Sequence, residues 1–184
     1  MKKKKAIGAC VLAAAIVLAV PLGVHTSLTK LREDAENTYY YDNAGYAIYE
    51  GVEERQATAN NLITVAERYT SENPALTELI GDLEYTVRLA QNSYDDFAEE
   101  AQANQMMTDA AQALYDELKN TQLSEEDAKY PDQLIAQMKS EQDKINRSSY
   151  NEDAREFNAR LDKFPVKLLL PFAGVQPLGT YDYE

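Results

Sequence analysis

The chain has 184 residues with 31 acidic and 18 basic side chains, a formal net charge of −13, and contains no Trp, one Cys and one His. One Cys excludes an internal disulfide framework, a Cys-based zinc site and a Cys-x-x-Cys redox centre, and one His excludes His-Glu-x-x-His proteases and paired-histidine di-iron bundles. The acid excess leaves no basic face for phosphate, so nucleic acid is not an expected partner.

In chain order, the first signal is charge. Lys2, Lys3, Lys4 and Lys5 open the chain, and Lys30 is the next basic residue. Residues 31–184 then carry 13 basic against 31 acidic side chains, a net −18. Between the two basic groups lies Ala6 to Val24, nineteen residues without a charge. As a helix this run spans roughly 28 Å, about one hydrocarbon thickness. A cleaved secretory signal has a shorter apolar region and a small-x-small cleavage site, which His25-Thr26-Ser27 does not supply. Cys10 sits too early for a lipoprotein signal, because most of the apolar run follows it. A retained, single-pass signal anchor over 6–27 is the expectation. The lysines place its N-terminus in the cytoplasm and the acidic body outside. His25 falls at the outer interface, where a solvated side chain is expected.

Beyond the anchor, Gly and Pro are sparse up to residue 163, which predicts long helices. Breaks are expected at Ser71-Glu72-Asn73-Pro74, at Thr121 to Asp127 with Tyr130-Pro131 following, and at Phe164-Pro165. These divide the chain into helices over roughly 28–70, 74–120 and 131–163. Steps of four and three land on Tyr41, Gly45, Ile48, Val52, Arg55, Ala59, Leu62, Ala66 and Tyr69. In the middle segment they run from Leu76 through Val87, Tyr94 and Phe97 to Leu118, and in the third from Tyr150 through Ala154, Phe157 and Leu161 to Phe164. A sustained repeat of 3.5 predicts coiled-coil-like packing side by side. The expected fold is all-α: an N-terminal transmembrane helix, then an elongated antiparallel bundle of long helices. A helix of about 45 residues, the length expected for the middle segment, would reach roughly 67 Å. The implied organisation is a basic start (1–5), an anchor (6–27), a helical bundle (28–165) and an apolar tail (166–184).

The C-terminal third contains Arg147-x-x-Tyr150-Asn151, then Phe157-Asn158, Leu161 and Phe164-Pro165. This pattern resembles the signature of the LemA family of bacterial membrane-anchored helical proteins, with Phe157 where the family has a second Tyr. Tyr130-Pro131 resembles a further family motif, set closer to Tyr150. Arg55, Asn61, Leu62, Ile63 and Tyr69 resemble the family's N-terminal stretch, while Glu54, Ala57 and Asn60 depart from it. The resemblance implies a single-pass anchor, a long helical bundle and no established enzymatic activity. The same residues have a structural explanation. Tyr150, Phe157 and Phe164 fall on one seam. Asn151 and Asn158 share the adjacent row, from which they could bond to neighbouring helices. Arg55 falls on a seam where it needs a carboxylate or carbonyl.

No nucleophile elbow, phosphate loop or dinucleotide-binding glycine pattern occurs. Asp95, Asp96, Glu99 and Glu100 share one helical face, but without a calcium-loop glycine they read as a solvated surface. Catalytic residues, metal ligands and cofactors are therefore not expected. Two groups stand out for interaction. Tyr39, Tyr40, Tyr41, Tyr46 and Tyr49 circle a helix, so some must be exposed. In the tail, Leu168, Leu169, Leu170 and Phe172 are apolar, while Pro165, Pro171 and Pro177 argue against a helix. That tail is expected either as an extended arm over the bundle or as a patch for a subunit, protein or lipid. The expected role is a membrane-anchored extracytoplasmic scaffold of the bacterial envelope, non-enzymatic, with a protein partner or a second copy. An accessory or solute-sensing ectodomain comes second, and an enzyme with an unrecognised carboxylate site third.

Overall fold

The structure, a computed structural model, describes the backbone of residues 2–43, 45–94 and 96–183, and the side chains of these residues except 2–18 and 21. Among the described residues the chain is all-α, with helices α1 (Lys2–Tyr40), α2 (Ile48–Glu67), α3 (Leu76–Asn92), α4 (Phe97–Lys119), α5 (Tyr130–Asn146), α6 (Tyr150–Leu161) and α7 (Val166–Ala173). Among the same residues, no helix is long and apolar enough to cross a membrane. The expected anchor, 6–27, falls mostly on side chains outside the described set.

Helices α2 to α5 form an antiparallel four-helix bundle joined by short turns. Asn73, ahead of α3, donates to Glu117 (2.6 Å) and Thr121 (3.0 Å) at the end of α4, so these two helices fold back on each other. The Tyr69 hydroxyl, after α2, donates to Asp127 (2.7 Å) ahead of α5, and Gly51 lets the start of α2 approach Ile145 near the end of α5. The stripe positions Leu62, Leu76, Leu83 and Leu118 are fully buried in this core. In α4, Thr108 and Tyr115 are half-buried, and Met107 and Leu114, each one residue off the stripe, are fully buried in their stead. Each such side chain contributes about 2 kcal/mol of transfer free energy.

A second layer caps one end. There α1 runs antiparallel to α6: Thr38 bonds Asp153 (2.9 Å), while Tyr39 packs edge-on against Tyr150. α7 lies beside α1, where the His25 Nδ1 donates to the Ala173 carbonyl (2.6 Å). His25 is therefore tied to α7 rather than merely solvated. Gly174, at φ 62°, ends α7 in the left-handed cap that glycine adopts without strain. The chain then returns, extended, as a strap over 175–183. A second core of Leu28, Ala35, Tyr39, Phe157, Leu178 and Tyr181 joins these pieces to the ends of α2, α4 and α5.

The long helices expected from periodicity are broken at three places. The segment 28–70 divides because α1 ends at Tyr40 and α2 begins at Ile48. Asp42 pins that connection by accepting from the Ser149 N–H (2.9 Å) and the Ser148 hydroxyl (3.1 Å). The segment 74–120 divides at 93–96. Asp96 caps α4 by accepting from the N–H groups of Ala98 (3.0 Å) and Glu99 (3.1 Å), a better end than continuing the helix. α4 has 23 residues, so it reaches roughly 35 Å rather than the longer rod. The segment 131–163 divides at 147–149, between α5 and α6.

Two expectations for the C-terminal region are also corrected. Pro171 does not prevent a helix: it lies within α7, on the exposed side, where water can satisfy the carbonyl that a proline leaves unpaired. Phe164 does not continue the seam of Tyr150 and Phe157; it is 87% exposed, because α6 stops at Leu161.

Candidate functional site: the tyrosine cluster and the C-terminal strap

Tyr39, in the last turn of α1, is the centre of an aromatic cluster. Its ring meets Phe97 at 4.6 Å and Tyr40 at 4.8 Å, edge-on in both cases, with Tyr181 at 5.6 Å and Tyr150 at 5.7 Å. Edge-on contacts set the positive ring edge against the negative face. Glu100 of α4 lies beneath these rings, and its Oε2 accepts from the hydroxyls of Tyr39 (2.6 Å) and Tyr181 (2.5 Å). Burial pushes the Glu100 carboxyl above its ordinary value, and the two phenols oppose that shift by bonding the anion. Burial and the nearby carboxylate push both phenols upward, so they remain proton donors.

The strap is held by side chains that replace strand pairing. Asn158 donates to the Leu178 carbonyl (2.7 Å) and accepts from the Leu178 N–H (2.9 Å). Asn151 accepts from the Tyr181 N–H (2.8 Å) while donating to Ile145 (2.8 Å). Asn146 donates to the Tyr183 carbonyl (3.0 Å) and accepts from its N–H (3.3 Å). Gln142 and Tyr150 bond the carbonyls of Tyr181 and Gly179. One amide group matches both a backbone donor and a backbone acceptor, which explains why Asn recurs along this edge. A Cβ on Gly179 would lie 2.4 Å from the Phe97 carbonyl oxygen, so only glycine permits this approach.

The strap ends in the bundle's buried polar centre. Arg55 of α2 donates through Nε to the Asn104 side chain (2.9 Å) and through Nη1 to the Met138 carbonyl (3.1 Å). Its Nη2 reaches Thr108 (2.5 Å), Tyr183 (3.1 Å) and the Asn104 carbonyl (3.3 Å). All five acceptors are neutral. Burial pulls the guanidinium below its ordinary value, and Glu141 pulls in the opposite direction. The carbonyl partner expected for Arg55 is thus supplied by α4 and α5, and Tyr183 closes the network from outside.

The residues singled out from sequence divide by environment. Tyr39 is core; Tyr40, Tyr41 and Tyr49 are exposed; half-buried Tyr46 donates to Glu141 (2.9 Å). Leu62, Tyr69, Tyr150, Phe157 and Leu161 are buried, whereas Asn61, Arg147 and Pro165 are exposed. Asn151 bonds both a neighbouring helix, through the Ile145 carbonyl of α5, and the strap, whereas Asn158 bonds the strap alone among the described residues. Leu169 and Leu170 are half-buried, while Leu168 and Phe172 are 68% and 74% exposed. Asp96 serves as a cap and Glu100 is buried, so the supposed acidic face is not a uniform solvated surface.

Asn104, Asn146, Tyr181 and Tyr183 are not expected as site residues from the sequence, and Glu100 is expected only as part of a solvated acidic face. The Tyr181-Asp182-Tyr183 alternation is the one signal for an extended, half-buried segment. Among the described residues, no group of three His, Cys, Asp or Glu side chains converges to hold a metal. No protein-family model, curated protein or solved structure matches the chain.

Proposed function

We propose that the protein is a membrane-anchored, non-enzymatic scaffold of the bacterial envelope. It is held by one N-terminal transmembrane helix, with the N-terminus in the cytoplasm and the bundle outside the cytoplasmic membrane. The uncharged run Ala6 to Val24 behind four lysines supports the anchor, and the net −18 of 31–184 supports an aqueous exterior for the body. The LemA-like motif supports the same reading from sequence alone. Its best-matched residues, Tyr150, Asn151 and Asn158, spend their polar groups on the strap and on Ile145, which is a structural use.

The observation that carries the scaffold role is an outward apolar surface. Phe164, Leu168 and Phe172 are 87%, 68% and 74% exposed, at four-residue spacing along α7 and just before it. Water-facing apolar side chains grouped on a strongly acidic body mark a surface that another molecule covers. We assign it to a protein partner or a second copy of the chain.

A photoreactive residue placed at Leu168 or Phe172 in the full-length, membrane-bound chain tests this assignment. A discrete cross-linked protein band, heterologous or dimeric, is expected. Lipid adducts alone would contradict the scaffold role and make α7 a membrane contact.

A further inference from the structure

The space between α1, α2, α3 and α4 is a cleft of about 480 Å³ walled by Tyr40, Tyr49 and Tyr94, with Glu53 and Glu100 in its lining. Both charged side chains described in that lining are carboxylates. Glu100 is 3% exposed, and among the described residues Tyr39 and Tyr181 both bond the same oxygen, Oε2. A carboxylate this deeply buried ordinarily has a cationic partner or takes up a proton. Among the described residues, no Lys, Arg or His forms an ion pair with it.

We propose that this cleft binds a small organic ammonium ion of the alkylated class, with Glu100 as its counter-charge and the three tyrosines as its walls. Aromatic faces attract a cation whose charge is spread over alkyl groups, and those groups bury apolar area against the rings without needing hydrogen-bond acceptors. A hard metal ion needs about six converging oxygen ligands, and among the described residues no group of three His, Cys, Asp or Glu side chains converges here. The acidic body concentrates cations near the entrance. The scaffold role above does not require this site, so solute binding is an additional property.

The test is titration of the full-length chain, in a sugar-headed detergent, with choline and with its neutral isostere 3,3-dimethylbutanol. The absence of Trp makes tyrosine fluorescence a direct reporter, and calorimetry provides a second one. Saturable choline binding in the millimolar range or tighter is expected, with no binding of the neutral alcohol. Glu100→Gln should weaken it about tenfold or more. Tyr94→Ala should weaken it comparably; Tyr94 is 60% exposed, so its loss leaves the cores intact. Equal binding of the neutral isostere would overturn the proposal, as would displacement of choline by NaCl as readily as by tetramethylammonium. A lack of saturable choline binding, or unchanged affinity in Tyr94→Ala, would overturn it too.

Discussion

Glu100 shows how one side chain acquires a character its neighbours in sequence do not share. Asp96 and Glu99 are exposed at the start of α4, whereas Glu100 turns inward under Tyr39 and Tyr181. Its carboxyl is raised above the ordinary value of 4.5, so between that value and the folded one the native state holds a proton that the unfolded chain has released. The native state binds more protons over that window, so this group's stabilising contribution is lost as pH rises. Glu100→Gln keeps an acceptor for both phenols and removes the titration. Urea midpoints measured from pH 4.5 upward should therefore fall less steeply in the variant than in the parent. Parallel pH profiles would contradict the raised value. Nothing in the Glu99-Glu100 pair announces this difference locally; it depends on where the strap places Tyr181.

At the scale of elements, helix content and the breaks near 71–74, 121–130 and 164–165 are readable from the sequence, but the breaks at 41–47, 93–96 and 147–149 are not. The stripe from Leu76 to Leu118 is buried except at Tyr94, Thr108 and Tyr115, yet α3 and α4 turn back on each other between Asn92 and Phe97. The turn preserves the four-three phase, so periodicity alone cannot reveal it. A capping aspartate with acids after it was the available signal. The connection after Tyr40 has a similar signal in Asp42-Asn43 and Gly45, a turn-forming composition set within the same phase. The strap was less legible still, because its partners are asparagine side chains distant in sequence. Gly179→Ala should displace it, since the added methyl group meets the Phe97 carbonyl. Faster amide exchange is expected at Leu178, Tyr181 and Tyr183, reflecting a local loss of about 1–3 kcal/mol. Gly81→Ala is the control: its Cβ meets nothing within 4 Å in α3, and it should stabilise the chain by roughly 1 kcal/mol. Unchanged exchange in the strap of Gly179→Ala would show that the close approach is not limiting.

At the scale of the whole molecule, the two cores are joined by α2, α4 and α5, which contribute to both, while α1 and the strap build the second core onto the bundle's end. α1 carries the uncharged run into the second core through Leu28, Ala35 and Tyr39, and the strap carries Tyr181 under those rings and Tyr183 to Arg55. An anchored α1 would therefore orient the bundle directly, without a flexible linker. On the proposed topology the acidic bundle and the exposed face of α7 lie outside the cytoplasm. The most direct test is thiol labelling of the full-length chain carrying Cys10→Ala and Thr64→Cys, since Thr64 is exposed on α2 and Cys10 is the only native thiol. A membrane-impermeant maleimide should label residue 64 in intact cells whose outer barrier has been opened, with no increase after lysis. Labelling that appears only after lysis would place the bundle in the cytoplasm and contradict the account.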